Sequence, residues 1–295
     1  MISICIPIYN FQVCDLVSDI QAQAVQLNLT YEIICIDDAS EKEWVNKNEC
    51  LYKNKNVLYY ELKENIGRSK IRNLLAEKSN FDLLLFIDCD SALCTNNYLS
   101  NYLDNHLSAK VIYGGRVHAE IPPKNNRLYL RWLYGVNRED EPHTKRNNTP
   151  YLSFKSNNFL IHKKTLLNIK FDEAFKGYGH EDTFFAQKLK ENKVIISHIN
   201  NPLIHIGLEN GEEFLSKTKE GIKNLILLMN GNSLLLNEIK LIKTYRKLKK
   251  YKLTSLFKLI HPILNKLLTK KLLSSNPKLF YLDMYKLTFL IHYLK

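Results

Sequence analysis

Two acidic pairs stand out for the chemistry they could do. Asp88-Cys89-Asp90 follows the apolar run DLLLFID at 82–88, where two carboxylates one residue apart can approach a single site. A hard divalent cation takes such oxygen ligands and keeps open positions for phosphate oxygens; a polar turn at a strand end accounts for the same residues. In Gly177-Tyr178-Gly179-His180-Glu181-Asp182 the second pair opens a predicted helix over 181–191. Acids in a first helical turn are favoured by the dipole alone. Capping does not call for Gly-Tyr-Gly just upstream, which suits a flexible loop whose aromatic can stack on a sugar ring. Arg68 and Arg72, four apart, share a helical face, and either bind a phosphate or base edge bidentately or line a solvated surface. His205 lies in the apolar run Pro-Leu-Ile-His-Ile, where a satisfied core histidine is commoner than a ligand.

Three short apolar runs must position these groups: ISICIPI at 2–8, YEIICID at 31–37 and DLLLFID at 82–88. Bounded by polar turn formers, they read as buried strands, and helical spacing over 15–27 and 69–78 separates them. Alternating strands and helices imply a mostly parallel sheet, whose carboxyl ends gather ligands. Here those ends supply Tyr9-Asn10, Asp37-Asp38 and Asp88-Cys89-Asp90. Beyond Gly114-Gly115 the pattern is less regular, and the polar stretch 137–150 reads as a mobile loop.

The chain has 295 residues, 45% hydrophobic and 24% charged, which excludes disorder and a small disulfide scaffold. Its net charge of +12 belongs to one end: residues 240–295 hold fourteen Lys/Arg and one acid, Asp283, leaving 28 basic and 29 acidic residues in 1–239. Leu241, Ile242, Tyr245 and Leu248, then Leu256, Phe257 and Ile260, predict amphipathic helices in this tail, broken at Pro262 and Pro277. Lysines beside Leu, Phe and Tyr favour an anchor on an anionic membrane surface over a packed cap, and no nucleic-acid motif is present. Six cysteines without a CxxC pair fit a reduced, cytosolic chain. No apolar run is long enough to span a bilayer.

In this order the motifs PIYN (7–10), IDDAS (36–40), NIGRSKIRN (65–73), FIDCD (86–90), SNNFLIHK (156–163), GYGHED (177–182) and His205 resemble family 2 glycosyltransferases. Residues 171–189 are similar to the carboxyl-terminal motif of β-1,4-galactosyltransferases and chondroitin-type polymerases, with Tyr178 where that pattern has Trp and His180 where it has Gly. The resemblance covers about 2–208 and implies a GT-A fold, with a nucleotide-sugar-binding part at 1–115, an acceptor-binding and catalytic part at 116–210, and a basic helical extension at 211–295. It implies that Pro7, Tyr9 and Asp38 form the nucleotide pocket, that Arg68 and Arg72 flank base and phosphates, and that Asn157, Asn158 and Tyr178 line the donor sugar. Asp90 and His205 would hold Mn2+ or Mg2+, Asp88 would contact the donor ribose or join the metal shell, Asp182 would be the base, and Glu181 would orient hydroxyls.

The activity so implied is inverting, metal-dependent transfer of a hexose or N-acetylhexosamine from a UDP-sugar to a glycan or lipid-linked acceptor, on the inner face of the plasma membrane. A retaining route needs a nucleophile on the opposite face, and no motif supplies one. Two rival classes are a sugar nucleotidyltransferase, which lacks support because no Gly-rich phosphate loop follows the first strand, and a non-catalytic glycan- or membrane-binding protein of the same fold.

Overall fold

A computed structural model describes residues 1–174, 177–230 and 234–294. The chain divides into two compact units, Met1–Ala119 with Asp140–Lys176 and Glu181–Gly207, and Glu120–Glu139 with Gly177–His180 and Leu208–Lys295.

The first unit is built on a seven-stranded sheet. Its strands are β1 (Ile2–Ile8), β2 (Tyr31–Asp37), β3 (Val57–Glu61), β4 (Leu83–Ile87), β6 (Val111–Tyr113), β8 (Asn158–His162) and β9 (Ile196–His198); β5 (Ser91–Leu93), β7 (Arg116–Val117) and β10 (Leu203–His205) form a small second sheet. The large sheet runs β3-β2-β1-β4-β8-β6-β9, parallel except where β8 lies antiparallel to β4 and β6. The apolar runs at 2–8 and 31–37 coincide with β1 and β2, because a strand covered on both faces must be continuously hydrophobic. The side-chain period of two then sorts them: Ile2, Ile4, Ile6 and Ile8 enter one core, and Cys5, Ile34 and Ile36 the other. Pro7 is tolerated in central β1 because pairing with β4 ends at Cys5 while pairing with β2 continues to Ile8.

Helices α1 (Cys14–Gln26), α2 (Lys42–Lys47), α3 (Arg68–Lys78), α4 (Tyr98–Asn105), α6 (His143–Arg146), α7 (Pro150–Ser153), α8 (Lys163–Ile169) and α9 (Glu181–Glu191) complete this unit; α5 (Tyr129–Arg138), α10 (Gly211–Asn230), α11 (Lys240–Lys250), α12 (Thr254–Leu272) and α13 (Leu279–Tyr293) belong to the second.

Three local expectations fail. The stretch 137–150 is not an unstructured loop: it carries α6, and Arg146 is buried, donating to the carbonyls of Gly114 and Ile199. Gly115 (φ +105) makes room for it, since a Cβ there would collide with the Arg146 guanidinium. Pro262 does not end a helix but sits inside α12, on its exposed side; the carbonyl it leaves unbonded belongs to exposed Lys258, where water can serve it. Cys14 and Cys50 form a disulfide between α1 and the 3-10 turn Glu49–Lys53, so only Cys5, Cys35, Cys89 and Cys94 are thiols. Cysteine spacing in sequence carried no sign of that pairing, which depends on where two turns meet.

Candidate active site

The carboxyl ends of β1, β2 and β4 bring the first polar cluster together. Past β2, the Asp38 carboxylate accepts the backbone N–H of Ile66 at 2.6 Å and of Gly67 at 3.0 Å, fixing the turn that starts α3. Gly67 takes φ +84 there, a conformation that glycine adopts without penalty. Burial raises the Asp38 pKa, and the two backbone bonds oppose it. Each of its oxygens still has a lone pair. Pro7 is half-buried at the end of β1, and Tyr9 beyond it is exposed.

Asp88 is surrounded by guanidinium groups. Arg72 Nη2 donates to its Oδ1 at 2.6 Å, while Arg68 Nη2 and Arg116 Nη2 each stand 3.7 Å from its Oδ2. Arg72 is buried behind Asp88 and donates also to the Arg68 carbonyl. Three guanidiniums therefore stand at the Asp88 oxygens, and a cation coordinated there would meet like charge. Arg116, just after Gly114-Gly115, escaped the sequence reading; its Nη2 also lies 3.8 Å from Asp90 Oδ1, so it links the two aspartates.

Asp90 and His205 meet because β10 pairs antiparallel with β5, His205 opposite Ser91. His205 Nε2 is 3.0 Å from Asp90 Oδ2. Gly207 permits the approach, since a Cβ on it would sit 2.6 Å from Asp90 Cβ. The other side of His205 was not legible in sequence: Nδ1 faces His118 Nε2 at 3.1 Å, and His118 Nδ1 contacts Asp140 Oδ1 at 2.6 Å. Asp140 also accepts the His118 N–H at 2.9 Å. Burial by itself would raise the Asp90 carboxyl, but the hydrogen bond and charge of His205, with Arg116 and Arg68, hold it well below the usual carboxylate range.

The run Asp140-His118-His205-Asp90 has three contacts, and two neutral imidazoles carry only two protons. A positive charge at the Asp90 end, an extra proton or a metal cation, completes it. Asp90 Oδ1 is buried and accepts no hydrogen bond. A divalent cation held by Asp90 and His205 fits this donor set, provided that phosphate oxygens supply further ligands. Among the described residues no three His, Cys, Asp or Glu gather around one metal position.

Glu181 and Asp182 begin α9, as the sequence predicted. Glu181 accepts from Arg68 Nε, so Arg68 bridges Asp88 and Glu181. Asp182 Oδ1 accepts the Thr183 N–H at 2.7 Å, and Lys155 Nζ stands 3.5 Å from Oδ2. Both acid clusters thus belong to one ionic network: Arg116 joins Asp90 to Asp88, and Arg68 joins Asp88 to Glu181.

Asn157 and Asn158 have different fates. Asn157 passes its carbonyl to the Asp88 N–H at 2.9 Å, and its Nδ2 is buried without a hydrogen bond. Asn158 is wholly buried, accepting from the hydroxyls of Tyr98 and Tyr102 at 2.7 Å and donating to the carbonyls of Gly115 at 2.8 Å and Asn201 at 2.9 Å. Both amide hydrogens and the amide oxygen of Asn158 are engaged in these bonds. Tyr178 belongs to the second unit, where its N–H donates to Glu220 at 3.2 Å. The flanking Gly177, Gly179 and His180 all have positive φ, and at His180 (φ +70) a side chain occupies a conformation that favours glycine.

The family described as Glycosyl transferase family 2 matches residues 3–165. An uncharacterized glycosyltransferase of Haemophilus influenzae is 26% identical over 222 residues, 70% of this chain and 80% of that protein. Among solved structures, a mannosyltransferase of Pyrobaculum calidifontis, in complex with GDP-Man and Mn2+, superposes with a TM-score of 0.55 at 11% identity, covering 78% of this chain and 64% of that one. The S. aureus TarS 1-349 structure gives 0.49 at 17% identity, covering 79% and 66%. The chain therefore spans about two thirds of the length of these solved relatives. The mostly parallel sheet flanked by helices is the GT-A architecture.

Proposed function

The chain belongs to glycosyl transferase family 2, and from that premise we propose that it moves a hexose or N-acetylhexosamine from a UDP-sugar to a hydroxyl of a glycan acceptor, inverting the anomeric centre, in the synthesis of bacterial surface polysaccharide or lipid-linked oligosaccharide. The observation that carries this reading is the bridging of Asp90, Asp88 and Glu181 by Arg116 and Arg68. One network then has cationic groups for a diphosphate and carboxylates for a hydroxyl.

Pro7, Tyr9 and Asp38 hold the nucleotide in this reading, with Asn157 toward the sugar. Arg68, half-exposed, takes the phosphate role that buried Arg72 cannot. Asp90 and His205 hold Mn2+ or Mg2+, with His118 and Asp140 orienting the His205 ring. Such a cation, when bound, stabilises the negative charge on the departing diphosphate oxygen. The Mn2+ of the Pyrobaculum relative supports that assignment. Glu181 is occupied by Arg68, which leaves Asp182 to take the proton from the acceptor hydroxyl as its oxygen bonds to the anomeric carbon. The bond from that carbon to the diphosphate breaks, and UDP leaves.

Residues 1–115 serve the nucleotide-sugar, 116–210 the acceptor and the catalytic step, and the similarity of 171–189 to galactosyltransferases and chondroitin-type polymerases suits a glycan acceptor. Among the described residues no helix is long and apolar enough to cross a membrane; in this reading the enzyme lies peripherally on an anionic bilayer at the cytoplasmic face, a location that the fourteen Lys/Arg of segment 240–295 support. A panel of UDP-sugars and GDP-mannose, assayed for nucleoside diphosphate release with and without Mn2+, Mg2+ and glycan acceptors, tests class and donor together. Turnover of GDP-mannose alone overturns the UDP assignment, and no release from any donor overturns the function.

A further inference from the structure

Helix α12 is apolar on two faces. Phe257, Leu264, Leu268 and Leu272 pack into the core of the second unit. On the opposite side Leu256, Leu259, Ile263 and Leu267 follow one another at helical spacing and stand in solvent, Leu259 79% and Ile263 70% exposed. Exposed Lys266 and Lys270 flank this stripe on one side and Lys271 on the other. A lone exposed leucine needs no explanation, whereas four in register on one helix mark an interaction surface.

Charge selects the occupant. Residues 240–295 hold fourteen Lys/Arg against one acid, so a second copy of the same surface would meet like charge, and an anionic lipid surface complements it. We infer that the outer stripe of α12, Leu256-Leu259-Ile263-Leu267, is the segment that lies in the interface of an anionic bilayer, its aliphatic side chains at the acyl boundary and Lys266, Lys270 and Lys271 among the headgroups. This deepens the membrane placement proposed above and rests on it, but is independent of the donor chemistry. The tail's binding thereby has a direction: α12 lies parallel to the surface with its inner face still packed on its own core.

The test uses the full chain with vesicles of phosphatidylglycerol and phosphatidylcholine, and with phosphatidylcholine alone. Wild type pellets with the anionic vesicles. Leu259→Glu/Ile263→Glu lowers that partitioning at least about tenfold, and Lys266→Glu/Lys270→Glu/Lys271→Glu lowers it about a hundredfold, while both keep wild-type UDP release and circular dichroism. Independently of any loss, the emission of Leu259→Trp shifts to the blue on anionic vesicles. Pelleting without that shift, or unchanged by Leu259→Glu/Ile263→Glu, overturns the stripe and leaves the membrane placement standing. No pelleting of wild type refutes both, and a dimer in sedimentation that Leu259→Glu/Ile263→Glu dissolves assigns the stripe to a second copy instead.

Discussion

Asn158 gives the sharpest test of what the site is made of, because the sequence points to a sugar ligand and the geometry to a structural clip. Its amide holds Tyr98, Tyr102, Gly115 and Asn201 together out of water. After Asn158→Ala, Tyr102 keeps a bond to the backbone carbonyl of residue 158 and the Gly115 carbonyl keeps the Leu203 N–H at 3.3 Å. The Tyr98 hydroxyl and the Asn201 carbonyl lose this partner. Because Tyr98 keeps its hydroxyl contact with Tyr102, three weakened groups and one abandoned group, at about 1–3 kcal/mol for the abandoned one and with the small cavity added, come to about 2–4 kcal/mol. That is a large part of the roughly 5–15 kcal/mol a domain has. Asn158→Asp tests the polarity: the tyrosines remain satisfied, but a carboxylate oxygen then opposes two carbonyl oxygens, so it is at least as damaging. Urea unfolding followed by circular dichroism reads both, alongside the donor KM. An Asn158→Ala protein within about 1 kcal/mol of wild type, with its donor KM raised tenfold or more, would refute the clip and return Asn158 to the sugar site.

Asp182→Asn removes the proposed base and lowers transfer about a thousandfold with UDP affinity unchanged in calorimetry; retained turnover excludes Asp182 from that role. Asp140→Asn loosens His118 and, through it, His205, so Mn2+ affinity read by electron paramagnetic resonance falls about 10–100-fold, whereas an unaltered affinity detaches His118 and Asp140 from the cation. His198 is pushed down to about 4, by burial first and by the Arg146 charge in addition, although its bond to the Pro150 carbonyl opposes this. Because the unfolded chain takes up this proton near pH 6.5, the stabilisation is complete above 6.5 and is lost as pH falls toward 4, by no more than about 3 kcal/mol. Urea midpoints of wild type and His198→Gln should therefore diverge in their pH dependence across that window; parallel curves would contradict the assignment.

The sequence by itself determined the elements and their order. Unbroken apolar runs forced buried strands at 2–8 and 31–37, and acids at 181–182 ahead of helical spacing opened α9, because such signals act between near neighbours. The resemblance implied a shared metal role for Asp90 and His205, and the pairing of β5 with β10 brings the two side chains to 3.0 Å. What only tertiary structure decided was which polar groups are spent on one another. Arg68 and Arg72 are indistinguishable by spacing, yet one is half-exposed and the other is sealed behind Asp88. Adjacent Asn157 and Asn158 differ for the same reason, since only the second meets four buried partners. His118, Asp140 and Arg116 lay in a stretch without periodicity, and Cys14 and Cys50, 36 residues apart, are joined across α1 and the turn Glu49–Lys53. Burial and the choice of hydrogen-bond partner are properties of distant contacts, and no local pattern of residues carries them.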